Sequence, residues 1–266
     1  MYSFSFFKNT LFLFCLTLLI ACNPSQTSTD TDTATAEIDM SKYPDLFQKI
    51  LKAHGGLDRW NEMNTLTYTN GEGAKAEYHT VDLKSRKSLI EVKNKFKLGS
   101  NGEKVWVTPH RDSFPGKSPR FVHNLLFYFV AIPYVLADPG VVYEDQGEVT
   151  VNDKKYRVLK TGFQDNVGDA PDDEYFLYAD PTTFKVELLR YSVTYFDASR
   201  ANSYNALGYE WGATDGLLFP TKTIGYKWAD DTLGEKRYER TYSAFKYSKD
   251  KMPGEMFEVP EGAFTE

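Results

Sequence analysis

The stretch FKVELLRYSVTYFD, residues 184–197, carries the fold class. Leu189, Tyr191, Val193 and Tyr195 fall on every second position, with Arg190, Ser192 and Thr194 between them. Side chains alternate across a strand with a period of two, so this spacing sets an apolar face against a polar one. Further along, Ile224, Tyr226 and Trp228 alternate with Thr223, Gly225 and Lys227 in the same way. Strands buried on both faces would instead read as continuous Val/Ile/Leu runs. The alternation predicts a single curved antiparallel sheet, wrapped around something on its apolar side.

Similar texture fills most of the chain. KKYRVLKTGF, DEYFLYAD, LGYEWGAT, LLFPTKTIGYKWAD and EKRYERTYSAFKYS all read as strands. Upstream, residues 66–109 break into short runs separated by Asn-Gly, Gly and charged pairs, the signature of hairpins; SNGEKVWV is a turn followed by a strand. Tyr (18) and Phe (19) are both abundant, which favours strands over helices. Ahead of the strands, Leu46, Phe47, Ile50 and Leu51 recur at helical steps behind Pro44 and Asp45, and Gly55-Gly56 closes that helix. A second short helix follows in LDRWNEM. The fold class is therefore α+β and mainly antiparallel β.

One segment breaks the pattern. RFVHNLLFYFVAIPYVLAD, residues 120–138, is almost continuously apolar. As a helix over 121–137 it just reaches the lower limit for crossing a bilayer of about 30 Å hydrocarbon. Pro133 would kink it, Arg120 and Asp138 bracket it tightly, and the flanking strands must pair on one side of any membrane. Two readings stand. It is a core helix that permanently plugs the sheet, or a lid whose aromatic face yields to a hydrophobic ligand.

At the N-terminus, Lys8 precedes the apolar run 11–20, and then comes Leu19-Ile20-Ala21-Cys22. These residues resemble the lipobox of bacterial lipoprotein signals, which implies cleavage before Cys22 and acylation of its thiol and amine. Residues 23–36 are rich in Ser, Thr, Asp and Ala, with no large apolar side chain. Such a segment cannot bury enough surface to offset its ordering entropy and reads as a tether. Each buried acyl CH₂ adds about 0.8 kcal/mol, so two or more chains anchor firmly. The expected organisation is a signal over 1–21, an acylated Cys22 and tether over 22–42, and one domain over 43–266. Localisation follows as the cell envelope. Asn23 lacks the likeness to the Asp that retains enteric lipoproteins at the inner membrane, so the outer membrane is preferred.

With Cys15 in the signal and Cys22 acylated, the folded part holds no cysteine, and hence no disulfide, thiolate metal site or thiol nucleophile. Net charge is −6, with both signs mixed along the chain, which excludes a phosphate-backbone binder. His54, His79, His110 and His123 show no metal-ligand spacing. His54, at a helix C-terminus, suits an imidazolium stabilised by the dipole, and His123 suits a satisfied histidine in an apolar run. Asp165, Asp169, Asp172, Asp173 and Glu174 offer oxygens, but their spacing does not match a calcium loop, and Pro171 marks a solvated turn. No nucleophile elbow, phosphate loop or cofactor fingerprint occurs. The reading is a non-enzyme without cofactor or metal.

The pieces KAHGGLDRW, NGEKVWVTP, FYFVAIPYVLADPG, GDAPDDEYFLYADPTT and LRYSVTYF together resemble a family of uncharacterised lipoproteins from Bacteroidetes-type bacteria. That family is grouped with the LolA/LolB-like superfamily of periplasmic lipoprotein carriers and receptors. The resemblance implies a half-barrel of some eleven antiparallel strands, with helices over its concave face. The apolar strand faces and the apolar helix together supply a cleft for a lipid or acyl chain between sheet and helix. Leu126, Phe127, Phe129, Val130 and Tyr134 would line it from the helix, and Tyr191, Val193, Tyr195, Ile224, Tyr226 and Trp228 from the sheet. The alternatives are a partner-binding lipoprotein of an envelope complex or, further off, a lipid or glycan hydrolase.

Overall fold

The computed structural model describes residues 38–164 and 167–266. The signal, Cys22 and most of the expected tether lie outside them. Residues 38–42, assigned above to the tether, belong to the folded body. Ile38 and Met40 pack on the core, and Asp39 caps the short turn Met40–Lys42.

The first helix, α1, spans Asp45–Ala53 and buries Leu46, Phe47, Ile50 and Leu51, the stripe legible in the sequence. The second, α2, spans Leu57–Glu62 and buries Leu57 and Trp60. Five strands follow: β1 Thr65–Asn70, β2 Glu77–Asp82, β3 Ser88–Val92, β4 Phe96–Ser100 and β5 Val105–Thr108. Then come α3 (Pro119–Ala131), a short turn Tyr134–Ala137, β6 Val141–Val151, β7 Lys154–Phe163, β8 Tyr175–Ala179 and β9 Val186–Ser192. The last strands are β10 Tyr204–Thr214, β11 Leu217–Ala229, β12 Thr232–Ser248 and β13 Phe264–Thr265.

All 13 strands form one antiparallel sheet, in the order β13-β5-β4-β3-β2-β1-β12-β11-β10-β9-β8-β7-β6. The sheet is open, with β13 and β6 at its edges. Its two halves meet where β1 pairs with β12, Thr65 opposite Ser248. Three two-residue hairpins set the register: Asn152-Asp153, Asp215-Gly216 and Asp230-Asp231 each have both residues at positive φ. That backbone matches the right-handed twist of the strands it joins.

The core falls into three parts. The largest joins α1, α2 and the second half of α3 to one sheet face, through Leu66, Leu159, Leu177, Leu189 and Leu207. A second lies between β3–β5 and the Val122–Leu126 side of α3, around Ile90, Leu98, Val107 and Leu126. The third lies on the opposite face of β7–β11 and contains Val158, Phe176, Leu188 and Ala206. Each of these is the chain neighbour of a residue in the first core, and adjacent strand residues point to opposite faces. This half of the sheet is thus apolar on both sides, unlike the one-sided pattern expected from the alternation. The sheet, the helices and all three clusters lie within the compact unit Glu37–Glu266, which therefore holds its own core.

The apolar run 121–137 is two elements rather than one kinked helix. Ile132 takes an extended conformation (φ −63°, ψ 138°) and ends α3. A residue before proline is pushed out of the α region by the pyrrolidine ring, so Pro133 stops the helix instead of bending it. At 13 residues, α3 is about 20 Å long. Among the described residues no helix is long and apolar enough to cross a membrane.

Candidate functional site

α3 is held at both ends. Ser118 Oγ accepts the Phe121 N–H at 3.2 Å, and Pro119 occupies the first turn, where its missing N–H costs nothing. The Glu266 carboxylate reinforces this end, accepting from Ser118 Oγ at 2.8 Å and from the Arg120 N–H at 3.2 Å. An anion there suits the helix dipole. At the other end, Tyr209 Oη donates to the Phe129 carbonyl at 3.0 Å. Tyr134 stacks on Trp60 at 4.4 Å and donates its hydroxyl to the His54 carbonyl.

The two halves of the helix differ. Leu126, Phe127, Phe129 and Val130 are buried, whereas the side chains from Phe121 to Leu125 are only half-buried. Phe121, Asn124, Leu125 and Tyr128, spaced at i, i+3, i+4 and i+7, line one face together. Facing them are Phe163 and Tyr175 of β7 and β8, Tyr195, and the segment 167–170. Between them lies a narrow cleft, open to solvent. Two groups of rings wall it: Phe121 lies 5.2 Å from Tyr195, and Tyr175 lies 6.3 Å from Tyr128 and 5.8 Å from Phe163. Outside the lining, Phe196 is 44% exposed and meets Phe121 at 4.9 Å, with Lys117 4.4 Å above its ring. At the floor, Asp173 accepts from the Thr194 N–H (2.7 Å) and hydroxyl (2.9 Å), while burial raises its pKa.

The other flank of α3 is polar. Arg86, Ser88, Ser100, Arg120, His123 and Asp138 line a second cleft. Asn124, Tyr128 and Asp169 contribute to both clefts. Burial lowers the His123 pKa to about 4, so the ring is neutral at physiological pH.

Few of the residues expected to line a ligand cleft do so. Tyr195 lines the aromatic cleft, and Phe127 and Tyr134 reach the edges of other hollows. Phe129, Val130 and Tyr191 fill the main core, Leu126 fills the second, and Val193 packs against the main core. Tyr226 and Trp228 lie in the third cluster, on the opposite sheet face from α3. Ile224 shares that face, because it sits opposite Gly208, which in turn faces Leu188. Cys22 lies outside the described residues. Phe121, Leu125, Tyr128, Phe163 and Tyr175 were not anticipated.

The four histidines are dispersed. His54 is buried and neutral, its pKa lowered to about 4 by desolvation, which outweighs the helix-dipole effect expected to favour its charged form. His79 is buried beside Glu77 at 3.2 Å and stacks on Tyr68 at 4.4 Å. Of the acidic residues read as a possible oxygen cage, Asp169 pairs with Arg120, and Glu174 pairs with Lys160 and accepts from Tyr204. Asp165 is outside the described residues. Among the described residues no group of three His, Cys, Asp or Glu could hold a metal ion.

Residues 119–210 match the model of DUF6503, a family of unknown function. No curated protein matches the chain. Among solved structures, a DUF1329 family protein from Desulfovibrio piger is similar at 13% identity, over 81% of this chain and 98% of that one, with a TM-score of 0.48. A LolA superfamily protein from Nitrosomonas europaea is similar at 13% identity, over 79% and 96%, with a TM-score of 0.45. A putative outer membrane lipoprotein-sorting protein domain from Vibrio parahaemolyticus is similar at 10% identity, over 73% and 93%, with a TM-score of 0.36.

Proposed function

We propose that this protein is an envelope lipoprotein, anchored through an acylated Cys22 with the outer membrane preferred, which binds a hydrophobic ligand beside α3. The ligand is an acyl chain or a lipid carrying one. One observation carries this reading: the open cleft walled by Phe121, Leu125, Tyr128, Phe163, Tyr175 and Tyr195. Apolar and aromatic side chains converging on one open cleft, with a few polar groups among them, suit a narrow apolar ligand. Flat aromatic side chains offer apolar surface while leaving a polar tip for a wet rim. Phe196, exposed beside Phe121 and Tyr195, adds apolar surface next to the cleft.

The magnitudes suffice without catalysis. Burying a ten-carbon stretch contributes roughly 8 kcal/mol before ordering costs, enough for micromolar binding. Both ends of α3 are fastened, so this reading needs no movement of the helix. The ligand lies along the exposed half of a fixed helix, and the buried half is the plug. A fluorescent fatty acid titrated into the unit Glu37–Glu266 tests this. Binding that saturates in the micromolar range and is lost in Leu125→Glu supports it. If the probe is excluded at high micromolar concentration, the partner-binding reading takes its place.

A further inference from the structure

The polar flank of α3 holds two buried polar atoms without a protein partner. Ser88 is 5% exposed, and its Oγ has no hydrogen-bond partner. Arg86 donates through Nη2 to both carboxylate oxygens of Asp138, each at 2.8 Å, while its buried Nη1 has no partner. Its guanidinium also lies 5.2 Å over the Phe127 ring. A buried donor left unpaired costs its desolvation free energy, so both sites lack an acceptor.

Charge narrows the choice of acceptor. Arg86 and Arg120 are the cations of this cleft, and Asp138, Asp169 and Glu103 are its carboxylates. Arg86 is already neutralised by Asp138, and Arg120 faces Asp169 at 3.6 Å. An incoming anion would join a surplus of negative charge. An uncharged oxygen meets no such penalty. The two clefts lie on either side of Asn124 and Tyr128, which line both, so the polar one is within reach of a molecule held in the aromatic one.

We propose that the polar end of the bound molecule lies on this flank, and that it is the uncharged carbonyl of an acyl ester, accepting from Arg86 Nη1 and Ser88 Oγ. This rests on the hydrophobic-ligand reading and names its ligand class: esterified lipids in preference to free fatty acids.

Displacement of the fluorescent probe from the unit Glu37–Glu266 by lauroyl glycerol, laurate and lauryl alcohol, at a pH where laurate is ionised, tests it. Lauroyl glycerol is expected to bind about tenfold tighter than either of the others, the effect of one or two well-made hydrogen bonds. Ser88→Ala and Arg86→Lys, the latter keeping a cation beside Asp138, should each weaken lauroyl glycerol several-fold and leave dodecane, which has no oxygen to accept, unchanged. Tighter binding of laurate overturns the inference by making the polar end an anion. Equal binding of all three, indifferent to Ser88→Ala, also overturns it while leaving the hydrophobic-ligand reading intact. If none of the three binds, that reading falls and the inference with it.

Discussion

The Nε2 atom of His54 accepts the backbone N–H of Val186 at 3.4 Å, tying the end of α1 to the start of β9. The opposite ring nitrogen, Nδ1, carries the proton and donates to the Ile50 carbonyl at 2.8 Å. The ring meets Trp211 edge-on at 4.8 Å, and Trp211 Nε1 donates to the Val186 carbonyl at 2.6 Å. The His54 carbonyl also accepts from the Leu218 N–H at 2.9 Å and from the Tyr134 hydroxyl. One buried neutral imidazole thus joins the first helix, the sheet and the segment after α3. A second proton on this ring would remove its only acceptor.

The first prediction follows from that protonation state. The His54 pKa is lowered from 6.5 to about 4 in the folded protein, so below 6.5 the unfolded chain binds a proton that the folded one refuses. Stability is therefore full above pH 6.5 and falls as pH drops towards 4, by about 3 kcal/mol in all. His123, also lowered to about 4, acts with the same sign. Urea unfolding at pH 7.5 and 4.5 measures the loss, and His54→Gln should reduce it, leaving the part due to His123. A pH-independent midpoint would contradict this account.

The second concerns the glycine pair behind His54. A Cβ on Gly55, at φ +113°, would stand 2.2 Å from the Gly216 carbonyl oxygen, whereas one on Gly56, at φ +90°, meets nothing within 4 Å. Gly55→Ala should cost several kcal/mol or prevent folding, because backbone must separate. Gly56→Ala pays only for its backbone conformation, about 1–2 kcal/mol. Thermal melting of the two variants separates them, and equal costs would refute the close approach.

The third concerns Arg190, which alternation placed on the wet face. Its guanidinium lies 3.7 Å from the Phe176 ring, 4.6 Å from Tyr204 and 5.2 Å from Trp228, and its side chain is 14% exposed. Its carboxylate partner, Asp231, is 91% exposed. Desolvated stacking of this kind contributes about 2 kcal/mol, and an ion pair to a solvated carboxylate under about 1. Arg190→Ala should therefore destabilise clearly more than Asp231→Ala. The reverse order in denaturant titrations would show that the charge pair matters more.

These residues also show where sequence reasoning succeeds and stops. KKYRVLKTGF is β7 from its first residue to its last, because its turn and its period-two pattern agree. Val141–Val151 went unread as β6: it is an exposed edge strand with a bulge between Asp145 and Glu148, so no apolar period runs through it. The strand read in residues 184–197 ends at Ser192, although the alternation continues to Tyr195. Assigning Tyr226 and Trp228 to the helix side failed because β7–β11 is apolar on both faces, and alternation alone cannot choose between two greasy faces. Arg190 concealed the second one, since an arginine stacked on rings looks like a solvated arginine in sequence. On α3, side chains are apolar nearly all round, so nothing in the pattern separates the Phe121–Tyr128 cleft stripe from the buried stripe.

The fourth prediction concerns the start of α3. Removing the Glu266 carboxylate in Glu266→Gln keeps one acceptor oxygen but loses the charge facing the helix N-terminus. Helix-dipole interactions of this kind contribute about 0.3–1 kcal/mol. Hydrogen exchange at Phe121 and Val122 should quicken in the variant, with protection in β7 unchanged. Uniform change across the protein would show that Glu266 acts on global stability instead.

The fifth concerns the anchor, which lies outside the described residues. Labelled palmitate should enter the wild-type protein in cells and be absent from Cys22→Ala. Equal labelling of both would remove the lipobox reading, and with it the envelope assignment.

The central claim is that the open half of α3 carries a hydrophobic ligand. Native mass spectrometry of the unit Glu37–Glu266, purified from cells without detergent, tests it most directly. The account predicts a population whose excess mass dissociates as a lipid. That population should be lost in Leu125→Glu, while the β-sheet circular dichroism signal is retained. A ligand-free wild-type spectrum that stays unchanged after incubation with acyl lipids would contradict it.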